Sequence, residues 1–247
     1  MGGMPESSLA AQDRRGAIPR RRRRWPLLLA IAVAALAGAV TVWWLLWVPN
    51  WRPPLREGER YGIDVSHHQG EVDWPLVADD DIAFAYIKAT EGGDFTDDRF
   101  AENWRGARLA GLDRGAYHFF TLCTTGVDQA RHFLEVAPPE RDALPPAVDL
   151  ELAGNCSARP SPAEVKEQLG RFLRLVEEAW ERKMVLYVGD DFEDAYPVRN
   201  EAGRPLWLHR FLLRPDVDGW VIWQLHGYAH VDGIDGDVDI DVMRAAE

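Results

Sequence analysis

Cysteine is nearly absent from this chain: its 247 residues hold two, Cys123 and Cys156. No Cys/His spacing suggests zinc, so no metal is expected. No glycine-rich loop is placed to cradle phosphates, and no Ser/His/Asp signature or metal-hydrolase motif occurs. No cofactor is therefore expected. The folded part is too acidic for nucleic acid, whose recognition needs basic stripes, and none is expected as a partner. There is no internal repeat, and low complexity is confined to the arginine run Arg20–Arg24.

What is present divides by charge. Residues 1–55 carry eight arginines, no lysine, and only Glu6 and Asp13, a net +6. The remainder carries −18, since the whole chain sums to −12. Leu27 to Val48 are 22 uncharged, mostly apolar positions. As a helix they would span about 33 Å, slightly more than a bilayer's hydrocarbon core. The arginine run precedes them, and Trp43, Trp44, Trp47 and Trp51 cluster at the far end, where an interfacial aromatic belt belongs. The positive-inside rule puts the N-terminus in the cytoplasm and the rest outside. The expected organisation is a basic cytoplasmic tail (1–24), a transmembrane signal-anchor (25–50), a stiff linker around Pro53-Pro54 (51–60) and a barrel domain (61–247). A cleaved signal peptide is the competing reading, through Ala35-Leu36-Ala37 or Ala37-Gly38-Ala39. Apolar residues continuing past both sites favour a retained anchor. Outside the cytoplasm Cys123 and Cys156 are expected to form a disulfide, with two buried thiols as the alternative.

From Tyr61 onward short apolar runs alternate with helical stretches. Strands are predicted at 61–65, 82–88, 113–119, 147–151, 184–188, 205–208, 219–224 and 237–241. Helices are predicted over 98–110, 126–136 and 162–182. The last has the clearest start, with Ser161 as N-cap, Pro162 in the first position and Glu164 completing a capping box. Early strands alternate with helices and the last three do not. That pattern suggests a barrel of parallel strands that loses its helices late.

In such barrels chemistry collects at the strands' C-terminal ends. Asp149 and Glu151 lie two apart at the end of one strand, so both face the same side. Two carboxylates in one pocket cannot easily both ionise, and one is then available as an acid near neutral pH. Closure would bring Asp64, ending the first strand, beside Asp239 in the last. Lys88, Tyr117, Tyr187, Trp207, Trp223 and Gln69 complete the rim as candidate substrate contacts, with aromatic faces suited to sugar C–H surfaces. Each has a structural alternative. Lys88 could instead pair with Asp64 or Asp149, Tyr117 could simply pack, and both tryptophans could belong to the core. His118 reads as a hydrogen-bonded core histidine, and Glu91 and Asp241 as structural or solvated acids. His67 and His68 face opposite ways on an extended strand, which disfavours chelation. Asn155-Cys156-Ser157 also matches a glycosylation sequon.

Five blocks in order carry a family resemblance: Gly62-Ile63-Asp64-Val65-Ser66-His67-His68-Gln69-Gly70, Ala85-Tyr86-Ile87-Lys88-Ala89-Thr90-Glu91-Gly92, Gly115-Ala116-Tyr117-His118-Phe119, Val148-Asp149-Leu150-Glu151 and Val238-Asp239-Ile240-Asp241. Over roughly 61–245 the chain resembles the glycoside hydrolase family 25 lysozymes, the N-acetylmuramidases of peptidoglycan. The resemblance implies an α/β fold, an irregular TIM-like barrel of five β/α units followed by three strands. It implies Glu151 as general acid, Asp149 positioning or polarising the substrate's N-acetyl group, and Asp64 and Asp239 orienting these groups. It implies peptidoglycan glycan strands as the partner, and the chain is expected to act as a monomer held at the membrane by its apolar helix. Two other functions stay open: an inactive, membrane-tethered muropeptide-binding domain, and a glycosidase acting on another N-acetylated glycan. The acid-rich stretch Tyr187–Arg204 departs from the family pattern and shows no long helix. No appended wall-binding repeat is seen, and the anchor would supply proximity to the wall instead.

Overall fold

The structure, a computed structural model, describes residues 24–200 and 203–244. The basic tail expected over 1–24 lies outside these residues except for Arg24. The described residues fall into two compact units that divide between Trp44 and Leu45. The first contains most of helix α1 (Trp25–Trp47), which is uncharged and apolar on every side. Together with the short 3-10 turn Val48–Asn50, it is long and apolar enough to cross a membrane.

The second unit is a closed barrel. In chain order its elements are β1 (Arg60–Val65), α2 (Trp74–Asp79), β2 (Ile82–Glu91), β3 (Phe95–Thr96), α3 (Phe100–Leu109), β4 (Asp113–Phe119), α4 (Gly126–Val136), β5 (Ala147–Leu150) and α5 (Pro162–Trp180). There follow β6 (Val185–Val188), α6 (Asp190–Ala195), β7 (Leu206–His209), β8 (Trp220–Ala229) and β9 (Val238–Met243). Eight strands close in the order β1-β2-β4-β5-β6-β7-β8-β9, with β9 returning to β1, and β3 is a two-residue addition to the end of β2. Five β/α units thus precede three strands. Neighbours from β1 round to β8 run parallel, but β9 is antiparallel to both β8 and β1. The expectation of an all-parallel barrel is corrected here. Ala229 and Val238 are joined by too short a link for a crossover, so the chain must turn back as a hairpin.

Helix α5 shows why the outer layer docks. Ser161 and Glu164 cap its start reciprocally. Val165, Leu169, Phe172, Leu173, Val176 and Trp180 form one buried face. The helix stops two residues before the predicted end because Glu181 turns left-handed, with φ 53°. Helices α2 and α6, at six residues each, were not predicted, being too short to show a period.

Inside the barrel one end is filled. A Cβ on Gly62 would lie 2.2 Å from the Phe84 ring, and one on Gly115 would lie 2.3 Å from the Tyr86 ring. Both glycines therefore make room for aromatic rings, which with Trp207, Ile222 and Met243 floor the barrel. The 51–60 segment, expected as a spacer, is packed on the barrel instead. Arg52 pairs with Asp80 at 2.6 Å, Tyr61 donates to the Pro53 carbonyl, and Arg214 pairs with Glu59. An extended proline segment has no internal hydrogen bonds, so its carbonyls are free to accept from neighbours.

Candidate active site

Above the aromatic floor lies a cavity of about 480 Å³, open at the C-terminal ends of the parallel strands. Register explains why acids meet there. Asp64 of β1 pairs across the antiparallel ladder with Asp239 of β9, and Asp149 of β5 sits beside Tyr187 of β6. Because β9 runs backwards, Asp239 reaches this mouth from near the strand's start rather than from its end. Asp64, Asp149, Glu151 and Asp239 all line the cavity.

Their protons are held unusually tightly. Burial, then the charges of Asp191 and Asp239, push the Glu151 carboxyl up to about 7, although the Tyr187 hydroxyl offsets part of this. Burial pushes Asp239 up to about 6. Asp64 and Asp149 are raised well above the usual carboxyl range, by burial first and then by neighbouring charge, that of Asp239 on Asp64 and those of Glu151 and Asp64 on Asp149. Asp64 Oδ2 accepts from Gln224 Nε2 at 2.8 Å, and Gln224 Oε1 accepts from the Tyr187 hydroxyl at 2.9 Å. This chain fixes Asp64 and Tyr187 across the cavity. Asp149 Oδ1, by contrast, is buried with no hydrogen-bond partner among the described residues. An unsatisfied buried acceptor facing a cavity is a natural partner for a ligand's N–H or O–H.

The remaining candidates divide. Tyr117, Tyr187, Trp207, Lys88 and Gln69 line the cavity. Lys88 pairs with neither Asp64 nor Asp149: its Nζ donates to Glu91 at 2.7 Å and lies 5.1 Å from the Phe119 ring centre. Gln69 also accepts from the Ser66 N–H at 2.9 Å, closing a capping box on the turn after β1. Trp207 stands in the floor, its Nε1 donating to Asp241 Oδ1 at 3.0 Å. Trp223 is corrected as a substrate contact. It is 1% exposed in the outer core, its Nε1 donates to the Arg210 carbonyl at 2.8 Å, and it does not line the cavity. Cys123 and Cys156 are joined, Cα atoms 6.2 Å apart, tying the loop after β4 to the loop after β5. His118 is a core residue between Thr90 and Gln129, and burial holds it down at about 3.

The model of glycosyl hydrolases family 25 matches residues 63–235, well over half of the chain. The chain belongs to that family. Among its relatives, the uncharacterised protein YegX of Escherichia coli O157:H7 is 37% identical over 195 residues, 76% of this chain and 70% of YegX. Lysozyme M1 of Streptomyces globisporus is 32% identical over 192 residues, 72% of this chain and 65% of the lysozyme. The solved family 25 glycosyl hydrolase of Bacillus anthracis superposes with a TM-score of 0.71 at 29% identity, covering 79% of this chain and 93% of that one. Membership makes the chain a glycoside hydrolase with the family's barrel.

Two residues in or beside this cavity were not among the expected contacts. Asp241 is fully buried, the structural of its two expected readings, and burial with the charges of Asp64 and Asp239 pushes its carboxyl well up. Its signal was the two-residue spacing from Asp239, which puts both on one face of β9. Gln224 links Asp64 to Tyr187, and its signal was also parity: if Gln224 faces inward, Trp223 cannot.

Proposed function

We propose that this enzyme hydrolyses the β-1,4 bond between N-acetylmuramic acid and N-acetylglucosamine in peptidoglycan, with Glu151 as general acid. The observation that carries the reading is a carboxyl that keeps its proton to about pH 7 at the mouth of an acid-lined cavity, on the same strand end as the unpartnered Asp149 oxygen. Membership of family 25 and the relatives named lysozyme and N,O-diacetylmuramidase support the substrate.

In this reading protonated Glu151 donates to the glycosidic oxygen as the bond to the anomeric carbon breaks. The substrate's own acetamido oxygen attacks that carbon, and Asp149 accepts the acetamido N–H, orienting it and stabilising the positive charge that develops. Water then opens the cyclic intermediate, giving its proton to the Glu151 carboxylate, with net retention of configuration. Asp239, ionised above about pH 6, supplies negative charge beside the site, and Asp64, fixed by Gln224, holds its place in the hydrogen-bond chain to Tyr187. Tyr117, Tyr187, Lys88, Gln69 and Trp207 shape the sugar-binding wall. Helix α1 holds the catalytic unit to the membrane, on the wall-facing side.

The full chain in mild detergent, incubated with purified peptidoglycan, should release fragments with new muramic-acid reducing ends, read by mass spectrometry. Glu151→Gln should fold normally and lose about 10²–10⁴-fold in rate. Binding without new reducing ends would instead select a muropeptide-binding role. Faster cleavage of chitin oligomers than of peptidoglycan would select another glycan.

A further inference from the structure

Two successive acids open α6, and the mechanism above uses neither. Asp190 is neutralised, accepting from Arg199 at 2.7 Å and from Arg210 at 3.1 Å. Asp191 is exposed, and among the described residues it is in no ion pair. Its Oδ1 accepts from the Phe192 N–H at 2.8 Å, which fixes the carboxylate's position.

Gly189 joins β6 to α6, and its N–H donates to the Leu150 carbonyl at 2.9 Å, immediately before Glu151. A methyl group on Gly189 would lie 2.8 Å from Asp191 Oδ1 and 3.3 Å from Glu151 Cγ. The two acids therefore flank Gly189, where a side chain would stand between them. Other titratable groups share the cavity with Glu151: Asp149 on β5, Asp64 on β1, His68 in the turn after β1, Tyr117 on β4, Tyr187 on β6, Asp239 on β9, and His209 on β7, whose imidazole burial holds below its usual range. Lys88 on β2 is engaged by Glu91, and Arg199 and Arg210 by Asp190. Asp191 is thus a nearby negative charge that no cation cancels. Like charges a few ångströms apart disfavour ionisation of the more buried partner.

We propose that Asp191 is a positioning residue for the general acid: set beside Glu151 by Gly189, its carboxylate opposes loss of the catalytic proton and keeps the enzyme active up to neutral pH. The proposal rests on Glu151 being the acid. After burial, Asp191 is the largest influence on Glu151, ahead of Asp239.

The test measures initial rates of reducing-end release from peptidoglycan by the full chain, from about pH 5 to pH 9, for wild type, Asp191→Asn, Asp191→Glu and Glu151→Gln. Thermal melts accompany each variant, and Asp191→Ser replaces Asp191→Asn should the amide disturb the turn. Asp191→Asn should move the alkaline limb of the rate profile down by about 0.5–1 pH unit. Its deficit would then grow with pH, reaching about three- to tenfold above pH 8. Asp191→Glu should restore the limb, and high salt should narrow the gap between wild type and Asp191→Asn. An unmoved limb, or a loss equal at every pH that Asp191→Glu does not restore, would overturn the proposal. An active Glu151→Gln would instead overturn the assignment of the acid.

Discussion

Asn155 shows how much of an acid's placement is decided by a residue that carries no charge. Its Nδ2 donates to the carbonyls of Phe120 and Glu151, each at 2.9 Å, and its Oδ1 accepts from the N–H groups of Leu122 and Cys156, each at 3.0 Å. Four groups from the segments after β4 and β5 meet on one amide. With both amide protons engaged, the sequon at Asn155 is unavailable in the folded chain. Asn155→Ala should destabilise the enzyme by about 2–4 kcal/mol, seen as an earlier denaturant midpoint. It should also lower kcat more than it raises KM, because Glu151 loses its tether. The Asp149-x-Glu151 pair was legible in the sequence because alternation on a strand has one outcome. The same rule corrects Trp223: adjacent strand residues point apart, and Gln224 takes the inward place. Asn155 itself was not legible as an anchor, since its four partners come together only once the loops fold.

At the scale of elements, all eight barrel strands were legible from short apolar runs, and the three longer helices from their period. What composition does not reveal is direction. Nothing in Val238-Asp239-Ile240-Asp241-Val242 tells an antiparallel strand from a parallel one, and only the short hairpin link decides it. The reversal leaves Asp239 at the cavity mouth because the residue opposite Asp64 is fixed by register. Helix α1 was legible from length and apolarity alone. As an anchor it makes its own prediction: the full chain should sediment with membranes and resist high-salt and alkaline washes, whereas a version lacking residues 1–50 should not. Recovery of the washed full chain in the soluble fraction would mean that the helix does not hold it.

For the molecule as a whole, gathering acids in a low-dielectric hollow has a direct thermodynamic effect. Glu151 and Asp239 titrate at about 7 and about 6, and Asp64, Asp149 and Asp241 are also raised. The folded chain therefore keeps protons that the unfolded chain releases near pH 4. By linkage, stability is full below that point and falls as pH rises toward 7, by about 1.4 kcal/mol per pH unit for each group still protonated in the fold. Carboxyls that are lowered, such as Asp190 and Glu177, act below this window and do not reverse the trend within it. The melting temperature should drop between pH 5 and pH 8, and Glu151→Gln should flatten the drop and melt higher than wild type at pH 8. A melting temperature that climbs over this range would contradict the assignment. The Cys123–Cys156 bridge adds a condition of place. Reducing cytoplasm keeps such thiols apart. A copy held in reducing surroundings would carry slack loops beside Glu151, and oxidation would draw them tight.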